Sequence, residues 1–223
     1  MERKYSLVAV EGVDGSGKST LVENLRKSLR GSARVEVARP ARAMTAAFQE
    51  MAETGRAESV LYQDRIPADF RHGTYLLETV VQFRYCRERF ERADVVLFDR
   101  WFQTWDVYCE EIVEHRDWME RLAASAPRPD LLLWVRVDPE LACRRLVERQ
   151  DRWARIYSPA ALLDKITRLT GRYETVMKET GADLVVLDGA QPPQQVLAEA
   201  RKHTGALLDA RRDALPATAA REA

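Results

Sequence analysis

The stretch Gly12-Val-Asp-Gly-Ser-Gly-Lys18-Ser19 satisfies the pattern GxxxxGK[ST] at every fixed position, and no other feature constrains the chain as much. It follows an apolar run at residues 5–10 and opens a segment with Leu21, Leu25 and Leu29 at helical spacing. Strand, loop and helix therefore stand in the order that a phosphate-binding loop requires. Glycines let successive backbone amides turn inward as an anion nest. The N-terminus of the following helix adds partial positive charge. Lys18 can reach β- and γ-phosphates, and Ser19 can offer a hydroxyl to Mg²⁺. Gly12, Val13, Asp14, Gly15, Ser16, Gly17, Lys18, Ser19 and Thr20 are the expected ATP-binding residues, with Lys18 catalytic and Ser19 a metal ligand.

Other short apolar runs, at residues 34–37, 95–98, 131–137 and 184–187, read as strands covered on both faces;. Helical patterns lie between them, at residues 18–29, 41–53, 75–92, 104–124, 139–149, 159–179 and 193–208. Pro139, Pro159 and Pro193 stand where helices begin, as the fixed φ of proline permits;. The alternation predicts a three-layer α/β/α fold with a parallel sheet of about five strands. One domain is expected over residues 1–208, with residues 209–223 a flexible tail and residues 56–73 a mobile connection at the rim of the site;.

Hydrophobic residues at 46% suffice for a full core, which excludes disorder for the bulk of the chain;. Thirty-five basic residues balance thirty-five acidic ones, so a global basic field for a nucleic acid polymer is not expected;. No apolar run is long enough for a membrane span, and no secretory leader is apparent;. Cys86, Cys109 and Cys143 are scattered and odd in number, as expected of reduced thiols in a cytoplasmic protein;.

A phosphate loop alone does not name a reaction. The chain carries no NKxD guanine reader and no LSGGQ-like signature, and it is short for a motor. A small-molecule kinase is what remains. Asp99 ends an apolar strand, where a Mg²⁺-associated carboxylate belongs;. Arg39 follows the second strand at the sheet edge where doubly wound folds bind ligands;.

The segment from Val8 to Thr20 resembles the first strand and phosphate loop of the thymidylate kinase family. Val95-Val-Leu-Phe-Asp-Arg100 is similar to that family's strand ending in Asp-Arg. Pro129-Asp130 and Val137-Asp-Pro-Glu140 are similar to a third stretch, and the arginine-rich residues 144–158 fall where the family places its lid. The resemblance implies transfer of the γ-phosphoryl of ATP, with Mg²⁺, to a nucleoside monophosphate, dTMP foremost. It implies a sugar-contacting role for Asp14, phosphate contacts from Arg100, and acceptor contacts from Arg39 and Arg84. Gly15 occupies the position where some members carry a loop arginine, which directs attention to Arg149, Arg152 and Arg155 as catalytic cations. Homodimers are common in the family.

The text departs from the family after the second strand, where only Arg39 and Pro40 match, and over residues 101–108. Trp101, Phe102 and Trp105 there could stack on a base or fill the core. Two alternatives stay open: a kinase of a deoxynucleoside or specialised metabolite, for which Glu11, Asp14 or Asp99 would have to act as base, and a non-catalytic nucleotide-binding protein.

Overall fold

The computed structural model describes residues 3–54, 61–109, 116–181 and 183–214. The strands are β1 (Ser6–Glu11), β2 (Val35–Ala38), β3 (Val95–Asp99), β4 (Leu131–Arg136) and β5 (Leu184–Asp188). They form one parallel sheet in the order β2-β3-β1-β4-β5. Every residue of β1 and β3 is buried, which is why these runs carry no polar alternation;. The helices are α1 (Lys18–Leu29), α2 (Ala43–Glu53), α3 (Ala68–Tyr85), α4 (Arg87–Glu91), α5 (Phe102–Tyr108), α6 (Arg116–Ala123), α7 (Pro139–Glu148), α8 (Arg152–Ile156), α9 (Pro159–Glu179) and α10 (Pro193–Ala214).

The sheet's two faces carry separate cores. Val8, Val10, Leu97 and Leu133 face Leu21, Leu25 and Leu29 of α1 and Ala200 and Leu208 of α10. Leu7, Ala9, Phe98 and Leu132 face α3, α7 and α9, through Phe83, Leu146, Ile166 and Tyr173 among others. The successor strands depart to either side of β1, so the carboxyl ends of β1 and β3 border the crevice where such sheets bind ligands. Val10 and Asp99 are paired in register there.

Several quoted sequence features resolve into local physics. Asp138 caps α7 by accepting the Glu140 amide at 3.0 Å, with Pro139 in the first turn;. Asp130 accepts the Leu7 amide at 2.7 Å and pairs with Arg3, which pins the start of β1. Trp101 is buried against Phe83 and Phe98, Phe102 packs beside it, and Trp105 lies 4.4 Å from the Tyr75 ring. These aromatics therefore belong to packing.

Four boundaries differ from the sequence-based expectation. The rim connection at 56–73 contains a 3₁₀ turn (Tyr62–Asp64) and the first turns of α3, which starts behind Pro67; residues 55–60 lie outside the described residues. The expected helix at 75–92 breaks at Cys86, and the one expected at 104–124 ends its first part at Tyr108. Helix α10 continues past Leu208 to Ala214 because Leu208 is buried and the last turn is tied down. Arg212 donates to the Ser32 carbonyl at 2.6 Å, and Arg211 donates to the Arg3 carbonyl. Residues 215–223 of the expected tail lie outside the described residues.

Candidate active site

The loop takes its shape from glycines with φ of 149° at Gly12, 86° at Gly15 and 97° at Gly17. At Gly15 the lack of a side chain also matters, because a Cβ there would collide with the backbone of Ala142 in α7;. The loop opens directly into α1, whose first residue is Lys18, and the Ser19 and Thr20 side chains next to it are exposed.

Lys18 is only 4% exposed. Its Nζ donates to the Val13 carbonyl at 3.2 Å and lies 3.7 Å from Asp14 Oδ1. Burial and the Arg100 guanidinium pull the Lys18 ammonium down to about 8, against Asp14, Asp99 and Glu11;. Asp14 is ion-paired to Arg100 and accepts the Tyr108 hydroxyl at 2.9 Å. Burial pushes its carboxyl up, but Arg100, Lys18 and Tyr108 outweigh that and hold it well below the usual carboxylate range. Arg100 stacks over the Tyr108 ring at 5.6 Å. Its φ of 79° is rare for a side-chain-bearing residue;. Burial opposes its charge, yet Asp14 and Tyr108 keep its pKa well above the ordinary value.

Asp99 is buried at the carboxyl end of β3. Its Oδ2 lies 3.3 Å from Arg39 Nε, while Oδ1 is buried without a hydrogen-bond partner. Arg39 itself is 59% exposed. Its loop is held by Gln82 of α3, which donates to the Arg39 carbonyl at 2.6 Å and accepts the Ala41 amide at 2.9 Å. The orphan Oδ1 of Asp99 and the exposed hydroxyl of Ser19 are oxygen donors suited to Mg²⁺, which takes few protein ligands.

Among the described residues, the Arg84 side chain makes no hydrogen bond or ion pair with this cluster. It is exposed on α3, and residues two apart on a helix do not share a face, so it does not lie with Gln82;. Among the lid candidates, Arg149 pairs with Asp151 at 2.8 Å and lines a cavity of about 280 Å³ beside the loop. Arg152 pairs with Glu53 of α2 at 3.1 Å, and Arg155 is exposed in α8. Between α7 and α8 the chain turns at Gln150, with φ 51°.

Three functional-looking residues escaped the sequence reading. The resemblance directs attention to Arg149, Arg152 and Arg155, yet it is Arg145 that donates to the carbonyls of Gly15 and Ser16 at 3.3 Å each and of Gly189 at 2.9 Å. Its spacing from Arg149, one helical turn, was the available signal. Tyr108 and Tyr173 are nearly 100 residues or more from the loop acids they touch, and no local pattern marks them. Glu11, considered as a base, is 0% exposed, and both its oxygens are engaged by donors from Trp101, Thr104 and Tyr173. Burial pushes its carboxyl up against those hydrogen bonds.

The family model described as thymidylate kinase matches residues 10–200. A protein of Saccharolobus solfataricus named "Probable thymidylate kinase 2" is 24% identical over 91% of this chain and 97% of its own length. A "Probable thymidylate kinase" of Methanocorpusculum labreanum is 26% identical over 90% of this chain and 98% of its own length. The thymidylate kinase of Xylella fastidiosa strain M12 is 32% identical over 64% of each chain. With the matched region running from the end of β1 into α10 and enclosing the whole site, the chain belongs to the thymidylate kinase family.

Proposed function

We propose that this protein transfers the γ-phosphoryl of ATP to dTMP, giving dTDP and ADP. The observation that carries the reading is the Lys18–Asp14–Arg100 cluster, which joins the donor-phosphate loop to a second set of charged groups within a family of nucleotide kinases. Loop amides and Lys18 bind the donor phosphates. Asp14, fixed by Arg100 and Tyr108, orients the acceptor through its sugar hydroxyl. Arg39 and Arg100 receive the acceptor phosphate. That phosphate is already ionised, so no buried base is required, in keeping with the enclosure of Glu11. Asp99 and Ser19 would hold Mg²⁺, which neutralises charge on the phosphates when bound.

Residues 144–158 act as a lid in this reading. Arg145 and Arg149 lie on the loop side of α7, and Arg149 reaches the loop cavity. The lid excludes water from the transferring group. A homodimer is also part of the proposal. Phe70, Leu77, Val81 and Tyr85 stand exposed at helical spacing along α3, and Met44 and Met51 stand exposed on α2, apolar side chains that a second copy would cover;. The functional reading is tested by Arg39→Ala, which should raise KM for dTMP about tenfold or more and leave KM for ATP within about twofold. An unchanged KM for dTMP would remove Arg39 from the acceptor site.

A further inference from the structure

Glu11 stands where β1 runs into the phosphate loop. Its Oε1 accepts the backbone amides of Trp101 at 2.7 Å and Thr104 at 3.0 Å. Its Oε2 accepts the hydroxyls of Thr104 at 2.5 Å and Tyr173 at 3.0 Å. The two amides are donors at the start of α5, a helix whose cap residue makes no side-chain cap bond;. Glu11 thus caps α5 from a different strand. Between β3 and α5 lies Arg100, in the left-handed region at φ 79°. A non-glycine residue stays there only when its surroundings over-determine it. The amide of Arg100 donates to the Val10 carbonyl at 3.0 Å. The peptides on both sides of the Arg100 α-carbon are therefore fixed to consecutive residues of β1, Val10 and Glu11.

We infer that Glu11 is a positioning residue for phosphoryl transfer: by holding the Trp101 and Thr104 amides it locks Arg100 in the backbone conformation that aims its guanidinium at Asp14 and the phosphate loop. The inference deepens the kinase reading and rests on it. What Glu11 supplies is reach and acceptor geometry. A general base would need a free oxygen and a path to the acceptor, and Glu11 has neither. Thr104 and Tyr173 complete the lock, since their hydroxyls, 3.0 Å apart, converge on the same Oε2.

Two substitutions separate reach from charge. In Glu11→Gln the carbonyl can still take both amides, and the NH₂ group can donate to the Thr104 and Tyr173 hydroxyls, which also accept. In Glu11→Asp the charge stays but the carboxylate retreats by one methylene. Glu11→Asp should lower kcat/KM for dTMP by about thirtyfold or more, and Glu11→Gln should exceed it by about tenfold or more, with KM for ATP within about twofold throughout. The reverse order, which a base or a required charge predicts, would overturn the inference. A double-mutant cycle then tests the route through Arg100. The Glu11→Asp, Arg100→Ala double variant should be no slower than Arg100→Ala alone, whereas additive losses would show that Glu11 acts elsewhere. If Glu11→Asp does not fold, Thr104→Val, which deletes one donor to Glu11, takes its place in the cycle with the same criterion. A crystal structure of the cycle's Glu11→Asp or Thr104→Val variant reads the inference without turnover. Arg100 should leave its left-handed conformation or its pairing with Asp14, and an unchanged Arg100 contradicts the inference. Parent protein that transfers phosphate to no nucleotide would instead sink the kinase reading, and the structural arm would still decide the role of Glu11.

Discussion

A lysine ammonium with 4% exposure is an expensive thing to keep, and Lys18 is kept where a phosphate would neutralise it;. Its pKa near 8 lies below the ordinary value of 10.5, so the free protein loses this charge as pH rises through about 8. Affinity for ATP should therefore weaken between pH 7 and pH 9.5, and calorimetry showing no change would contradict the assignment. The same shift has a consequence for stability. The unfolded chain holds that proton more tightly, so the charge costs stability below about pH 8, and the cost is relieved as pH rises toward 10.5;. Lys18→Met should accordingly leave the melting temperature of nucleotide-free protein at pH 7 at or above the parent's. Lys18→Ala should lower turnover a hundredfold or more, about 3 kcal/mol of lost electrostatic stabilisation. A folded Lys18→Ala variant with parental turnover would remove the loop from catalysis. Tyr108→Phe deletes the hydroxyl that Asp14 accepts at 2.9 Å, and it should raise KM for the acceptor severalfold, about 1 kcal/mol;. The loop residues were legible because their chemistry is local. Tyr108 was not, because its partner is set by the way α5 docks rather than by sequence spacing.

Among the elements, α7 does more for the site than its sequence suggests. Its Ala142 backbone rests on Gly15, and its Arg145 ties two loop carbonyls to Gly189. Gly15→Ala combines a collision with a φ of 86° and should lower the melting temperature by several degrees, since 1 kcal/mol is worth about 2–4 °C at this size;. A thermal melt unchanged by Gly15→Ala would show that α7 does not rest on the loop as described. The lid proposal predicts that Arg149→Ala lowers kcat about tenfold or more while changing ATP affinity less, and an unchanged kcat would place the catalytic cation elsewhere. The starts of α7 and α9 were readable from Asp138-Pro139 and Ser158-Pro159, whose side-chain caps are local. The extent of α3 and α10 was not. Helix α3 begins behind Pro67, inside a stretch of weak periodicity, and α10 is held to Ala214 by Arg211 and Arg212 contacts with Arg3 and Ser32. Such long-range ties leave no mark on hydrophobic spacing.

For the molecule as a whole, the parallel sheet followed from five near-continuous apolar runs, while the strand order required the structure. The order places the ends of β1 and β3 together, and with them Glu11, Asp99 and Arg100. The exposed apolar side chains of α2 and α3 include Tyr85 at 90% exposure. If a second copy covers them, Leu77→Asp should shift light-scattering mass from dimer to monomer, and a monomeric parent would end the dimer proposal. The acceptor identity is the central claim, and one assay addresses it most directly: kcat/KM by ADP release for dTMP, thymidine and the other nucleoside monophosphates. A site whose arginines await a phosphate leaves them unpaired when thymidine binds, so dTMP should exceed thymidine by about a hundredfold or more and should lead the monophosphates. A preference for an unphosphorylated acceptor, or ADP release that no acceptor stimulates, would contradict the account.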